Sequence, residues 1–391
     1  MTISKNTGKN TKTNKTLSLI SFFIGLQFTL IFLFGCHTNK VTDSSRCGDT
    51  IQLNYARLLD IIEYDSFSIV QIHNPWDSAR LLHTYILVER NRELPPNLPQ
   101  GTIVKIPVER AVIYSSVHCS LFEQLGKTNA ITGICNPEFV MLPNIRKQLE
   151  QGKIQNMGDG QNPNLERIID EHPDVLMPSP FENSGGYGRL SSLNIPIIEC
   201  ADYLEVSALA RAEWMRFYGR LLGCSQKADS LFFAVETAYK ELTQKVQQAT
   251  KRPTLLCEMR TGATWFVSGG NTASGKMYQD AGADYLFSDY TKNATALTFE
   301  SVFEKAQDAD IWLIKYNLAQ DLSYEQMKQD YAPYANFKAW KEKNIYGCNT
   351  RYIPFYEETP FQPHLLLEDL IRIFHPELLP QAPLRYFKKL N

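Results

Sequence analysis

The chain has 391 residues, of which 43% are apolar, 12% aromatic and 21% charged, with a formal net charge of −2. That mixture excludes a disordered chain and a coiled coil, and a near-neutral balance gives no basis for a nucleic-acid partner, whose backbone calls for a basic surface. The length predicts two or three domains.

The average hides an asymmetry. Lys5, Lys9, Lys12 and Lys15 precede Leu17 to Phe34, a run of 18 uncharged residues that ends at Leu33-Phe34-Gly35-Cys36. This resembles a bacterial lipoprotein signal, and the resemblance implies that Cys36 is lipidated and becomes the first residue of the mature chain. Residues 1–35 are therefore set aside as a targeting segment. The competing reading is a plain transmembrane anchor, since the run approaches the roughly 20 residues that span a bilayer. Both readings place the folded part outside the cytoplasm. Without the signal the chain carries 36 basic against 42 acidic residues. Residues 36–50 read as a polar tether. Seven cysteines remain beyond Cys36, an odd number with no metal-like spacing.

Residues 51–107 predict a β-rich segment. Ser68–Ile72, Leu82–Val88 and Thr102–Pro107 carry β-branched and aromatic residues, and Asn74-Pro75-Trp76-Asp77 is turn chemistry. From 108 to 205 the rhythm becomes strand then helix. The predicted strands are Ala111–Tyr114, Ala130–Ile134, Asp174–Met177 and Ile195–Cys200, with helices after the first and at Pro163–Ile169. Such alternation predicts a mainly parallel sheet covered by helices. Cys119 and Cys135 follow the first two strands and are the pair best placed to be close.

Residues 206–250 contain no strand candidate and no proline. Ala210, Trp214, Phe217, Tyr218 and Leu221 recur at helical spacing, then Leu231, Val235 and Leu242. Gly223 is a candidate break. From 251 to 391 the α/β rhythm returns, with predicted strands at Thr254–Cys257, Trp265–Val267, Ala283–Phe287, Asp310–Ile314 and Asn344–Cys348, and a last helix at His364–Phe374. The fold class is α/β: two lobes with mainly parallel sheets, bridged by a long rigid helix, with an N-terminal β extension.

Catalytic signatures are absent. Gly270 to Lys276 fits most of a phosphate loop, but Met277 stands where the magnesium-binding hydroxyl belongs. There is no H-E-x-x-H and no G-x-S-x-G. The chain reads as a binding protein and not an enzyme, with no catalytic residues, no cofactor and no bare-metal site. His118 follows the first lobe-one strand, where ligands of α/β sheets sit; a structural role and a ligand contact are both open there. The strand-end loops combine aromatic rings with arginines: Tyr187 and Arg189, Arg260 and Trp265, and Arg351, Tyr352 and Tyr356. Tyr290 joins these candidate contacts. Aromatic walls with a few placed charges suit a large, partly planar, anionic small molecule.

Over 108–378 the chain resembles the substrate-binding lipoproteins of ABC importers for iron–siderophore complexes and cobalamin. The resemblance is carried by Ser115 to Gly126, Pro163 to Ile169 with Pro173 to Leu176, Gly282 to Phe287, Leu297 to Val302 and Asp308 to Ile314. It implies two lobes joined by one long helix and a metal chelate between them, a ferric siderophore, cobalamin or haem. It also implies an ABC permease with its ATPase as partners, a monomer, and attachment to the bacterial cell envelope through lipid on Cys36. Permease docking maps onto Glu166 and Glu300, each near a helix start, where a carboxylate is also favoured by the helix dipole. The 51–107 segment lies outside the family pattern.

Overall fold

The mixed alternation of the N-terminal segment becomes a five-stranded sheet whose spatial order follows the chain. Its strands are β1 (Asp49–Thr50), β2 (Leu59–Glu63), β3 (Ser68–His73), β4 (Leu81–Glu89) and β5 (Thr102–Ile106). The first four are antiparallel, and β5 runs parallel to β4. The turn before β4 is held by the Asn74 side chain, which accepts from the backbone N–H of Trp76 and Asp77. The sheet is buried on both faces. Ile61, Val70, Ile72, Tyr85, Leu87 and Val104 join the main core, while Ile69, Ile86 and Val88 pack under Tyr64, Phe67 and Leu98. The computed structural model describes residues 48–182 and 186–391. The targeting segment, Cys36 and Cys47 lie outside them.

Lobe one has a parallel sheet of β6 (Ala111–Ile113), β7 (Ile131–Ile134), β8 (Gln155–Asn156) and β9 (Val175–Met177), in the order β9–β6–β7–β8. Helices α1 (Ser116–Gln124) and α2 (Leu165–Asp170) belong to it. The predicted strand at 195–200 is a correction: it makes one isolated bridge, Ile197 to Leu176. Pro196 on one side of the bridge and Pro178 on the other have no N–H to donate, so the ladder cannot extend.

The bridge is helical but divided. It consists of α3 (Ala208–Glu213), α4 (Met215–Leu221) and α5 (Ser225–Val246). Gly223 makes the second break with φ +63, and its neighbour Pro107 sits so near that a Cβ there would meet the proline ring at 2.9 Å. Helix α5 spans 22 residues, roughly 33 Å at 1.5 Å per residue.

Lobe two centres on β10 (Thr254–Cys257), β11 (Asp284–Tyr285), β12 (Ile311–Tyr316), β13 (Ile345–Asn349) and β14 (Lys388–Lys389), in the order β11–β10–β12–β13–β14. All are parallel except β14, which closes the edge antiparallel. Its helices include α6 (Ala273–Asp280), α7 (Phe299–Ala306), α8 (Phe355–Glu358) and α9 (Pro363–Phe374). The predicted strand at 265–267 forms, but in a separate antiparallel sheet with Arg260–Thr261 and Thr295–Leu297. The six described cysteines are all free, Cys119 and Cys135 among them.

Candidate functional site

In open α/β sheets the groups beyond the carboxyl ends of the strands are the ones free to meet a ligand. In lobe one these ends converge. Tyr114 follows β6, Asn136 follows β7, and Ser179 follows β9. With Phe181, Tyr187 and Arg189 they line a cavity of about 410 Å³. Asn136 adopts φ +50 and its Oδ1 accepts from Gly160 N at 2.8 Å, which fixes one rim. The Tyr114 hydroxyl is buried without a hydrogen-bond partner among the described residues. Burial raises its pKa, and the nearby Cys135 adds to the rise, so the phenol stays neutral and available as a donor. Tyr187 is also raised, by burial and then by Glu199. Arg189 is exposed and has no ion-pair partner among the described residues.

In lobe two the loop after β13 carries Arg351 and Tyr352, and α8 carries Tyr356. All three are exposed, the two tyrosines at 57% each. The buried Asn349 shapes this loop: its Oδ1 accepts from Leu318 N and Arg351 N, and its Nδ2 donates to Leu318 O. Tyr352 donates to Ala319 O at 2.9 Å. Helix α8 then reaches lobe one, where Glu357 accepts from Met141 N at 2.9 Å. Burial pushes the Glu357 carboxyl up to about 7 against the pull of that amide.

A second cavity, of about 260 Å³, lies where α3, α6, α8 and α9 meet, with Val117, Arg211, Ser274, Lys315 and Tyr356 on its walls. Both cations are already used. Lys315 is paired with Glu258, and Arg211 Nε with Asp202 at 3.0 Å.

The structure therefore divides the sequence-predicted contacts. Tyr187 and Arg189 share the lobe-one cavity, and Tyr356 lines the second one. Arg351 and Tyr352 stand exposed nearby in the chain. His118 is 2% exposed and packed inside, its Nε2 bonded to Asp202 at 3.0 Å with Tyr218 edge-on to the ring. Burial opposes its charge, but Cys200 and Asp202 overcome this and lift its pKa to about 10. Trp265 is fully buried, stacked on Trp312 at 5.7 Å, and its indole N–H donates to Cys257 O. A large apolar ring with a satisfied N–H is a core residue, and in this conformation it offers a ligand no surface. Arg260 is stacked 3.7 Å over Tyr331, and Tyr290 lies 5.0 Å from the Lys305 ammonium. Neither lines a cavity described here. Tyr114, Asn136 and Phe181 were missed as contacts, although Tyr114 ends one predicted strand and Asn136 stands two residues beyond another.

Glu166 and Glu300 occupy matching positions. Each is exposed in the first turn of its helix, behind an N-cap, Asn164 or Thr298, whose side chain accepts from the N–H three residues on. Among the described residues no group of three or more His, Cys, Asp or Glu is placed to hold a metal ion, and no helix is long and apolar enough to cross a membrane.

Residues 112–352, well over half the chain, match the model of a family described as periplasmic binding protein. An uncharacterised lipoprotein of Methanocaldococcus jannaschii is 23% identical over 386 residues, covering 91% of this chain and 90% of the relative. The share left out is smaller than residues 51–107, so that similarity includes part of the N-terminal sheet. A periplasmic heme binding protein from Pseudomonas aeruginosa superposes with a TM-score of 0.58 at 16% identity, over 73% of this chain and 98% of its own. An ABC-type Fe3+-hydroxamate transport protein from Saccharomonospora viridis gives 0.54 at 17% identity, over 69% and 94%. These two share the fold.

Proposed function

The chain belongs to the periplasmic binding protein family, and from that premise we propose that it is the extracytoplasmic binding lipoprotein of an ABC importer. It captures an iron–siderophore or cobalamin-like chelate between its lobes and hands it to a permease whose ATPase partner does the work. It acts as a monomer held to the cell envelope by lipid on Cys36. The observation that carries this reading is the lobe-one cavity, where three aromatic rings surround strand ends and Arg189 has no ion-pair partner among the described residues. Aromatic faces and one free guanidinium recognise a bulky, partly planar anion. Arg351, Tyr352 and Tyr356 supply the lobe-two side. His118 and Trp265 play no direct part, because their side chains are buried in packing, and the half-buried Arg260 and Tyr290 line neither cavity. The bridge of packed helices limits lobe closure to a small hinge motion. Glu166 and Glu300, exposed at two matched helix starts, are the permease contacts.

Haem is the second reading, favoured by the likeness in fold to the heme binding protein. The test is the visible spectrum of the purified protein titrated with a ferric hydroxamate, cyanocobalamin and hemin. One of them is expected to give a saturable change that Arg189→Ala weakens at least tenfold, as loss of a charge-assisted contact implies. No saturable change with any of the three overturns the reading. Paired Glu166→Arg and Glu300→Arg changes should leave the spectrum intact and abolish uptake.

A further inference from the structure

The N-terminal sheet reaches the wall of the lobe-one cavity through three side chains. Tyr85, on β4, is fully buried against lobe one. Its hydroxyl donates to Ile197 O at 3.0 Å and accepts from Glu199 N at 2.9 Å. These are the outer-edge groups of the 195–200 run, which on its other side bonds to Leu176 through Pro196 O and Ile198 N. One phenol thus takes the place of a missing neighbouring strand, satisfying a donor and an acceptor that would otherwise be buried unpaired. His83 stacks on Tyr85 at 4.4 Å. Its Nε2 is bonded to Thr102 at 2.7 Å, which aims Nδ1 at Glu199 Oε2, 3.8 Å away.

Ile197 is the next link. The buried Glu199 beside it does not hold Tyr187 by a hydrogen bond, since neither its Oε2 nor the Tyr187 hydroxyl has a partner among the described residues. Ile197 packs on the small apolar cluster of Val112, Cys135, Met157, Ile168, Leu176 and Leu190, and Tyr187 packs on the same cluster. Tyr187 lines the cavity beside Arg189 and Phe181. The path from the sheet to the cavity therefore runs from β4 to Ile197, the shared cluster and Tyr187.

We propose that the N-terminal sheet is a working part of the ligand site, with Tyr85 and His83 as positioning residues that set the 195–200 run and, through the apolar cluster that Ile197 shares with Tyr187, the Tyr187 wall. This rests on the reading of the lobe-one cavity as the ligand site. The sheet is then more than a covering. It decides how far Tyr187 projects into the cavity and hence which ligands fit.

Two measurements on the ligand-free full chain test the link by itself. In Tyr85→Phe, amide exchange across residues 186–199 should accelerate about tenfold, the size of one lost buried hydrogen bond, with β10 unchanged. With 3-fluorotyrosine incorporated, the fluorine line of Tyr187, assigned by its loss in Tyr187→Phe, should shift in Tyr85→Phe and in His83→Ala. Exchange and line position equal to wild type overturn the proposal. In the same variants affinity for whichever of ferric hydroxamate, cyanocobalamin or hemin the wild type binds should fall about fivefold to tenfold. Unchanged affinity with a shifted line also overturns it, since the wall would then not matter to the ligand. If the wild type binds none of the three probes, the importer reading falls, and exchange and fluorine shifts still decide whether the sheet sets Tyr187.

Discussion

Residues 54–58, leading into the N-terminal sheet, cross the bridge with their backbone N–H groups turned onto two buried carboxylates. Residues 385–387, leading into the last strand, do the same onto one. On the N-terminal side Glu213 accepts from Asn54, Tyr55 and Ala56 at 2.8–2.9 Å, and Glu205 accepts from Arg57, Leu58 and the Trp214 indole. On the C-terminal side Asp369 accepts from Arg385, Tyr386 and Phe387, the last at a long 3.3 Å. The chemistry is shared: a buried anion stabilised by a fan of amides. The consequence differs. Asp369 lies 16 to 18 residues from its partners, and its strap only closes a sheet edge with β14, the usual protection for an exposed ladder. Glu213 lies 157 to 159 residues from its partners, and its strap fastens the extra sheet to the helices that join the lobes. The same local device is a lid in one place and a brace on the bridge in the other.

The difference can be broken from the strongest side first. Glu213→Ala strands three partly buried amides and should cost about 4 kcal/mol in chemical denaturation, with faster proteolysis within residues 49–58. Asp369→Ala strands three amides as well, one of them in a weaker bond, and should cost about 3 kcal/mol, with exchange rising at β13 and β14 and not in the N-terminal sheet. If both variants loosen the same region, the two straps are not separate.

Acid should separate the straps from the joint beside them. Burial raises the carboxyls of Glu205 and Asp369, against the pull of their hydrogen bonds. Protonation is thus favoured in the folded state, and mild acid should release neither residues 57–58 from Glu205 nor residues 385–387 from Asp369. Asp202 is the reverse case. Burial opposes its charge, but His118 and Arg211 outweigh it and hold its pKa down to about 2 against 3.8. Its contribution is complete above the unfolded value and is lost as pH falls through the folded one. Stability should therefore drop by on the order of 2 kcal/mol between pH about 4 and about 2, and Asp202→Asn should remove that drop from the pH–denaturation curve. The smallest expected effect is Arg385→Ala. It breaks an exposed bidentate pair with Glu358 and should cost about 0.5–1 kcal/mol without releasing residues 385–387.

The elements themselves were largely legible. Short apolar runs separated by helical periodicity marked most strands of the two main sheets, and 45 residues without proline or strand pattern marked the bridge. What misled was long range. Trp265 reads as a cleft aromatic, since a strand-end loop beside an arginine has that composition; only Trp312, 47 positions away in the chain, makes it core. The run 195–200 reads as a strand by its residues, and its outer edge is instead met by the hydroxyl of Tyr85. Strand β2 was overlooked although Leu59, Asp60 and Ile61 alternate between buried and half-buried along it.

By itself the sequence determined the α/β class, the order of its elements, the helical character of the bridge and the exposed carboxylates at two helix starts. Those follow from periodicity and capping, which act between residues a few positions apart. The tertiary structure decided that Tyr187 and Arg189 share a cavity, that His118 and Trp265 do not face one, and that the N-terminal sheet is fastened through Glu213 and Tyr85. Each of those rests on a hydrogen bond or a packed ring between distant residues, and burial of that kind leaves no trace in local pattern.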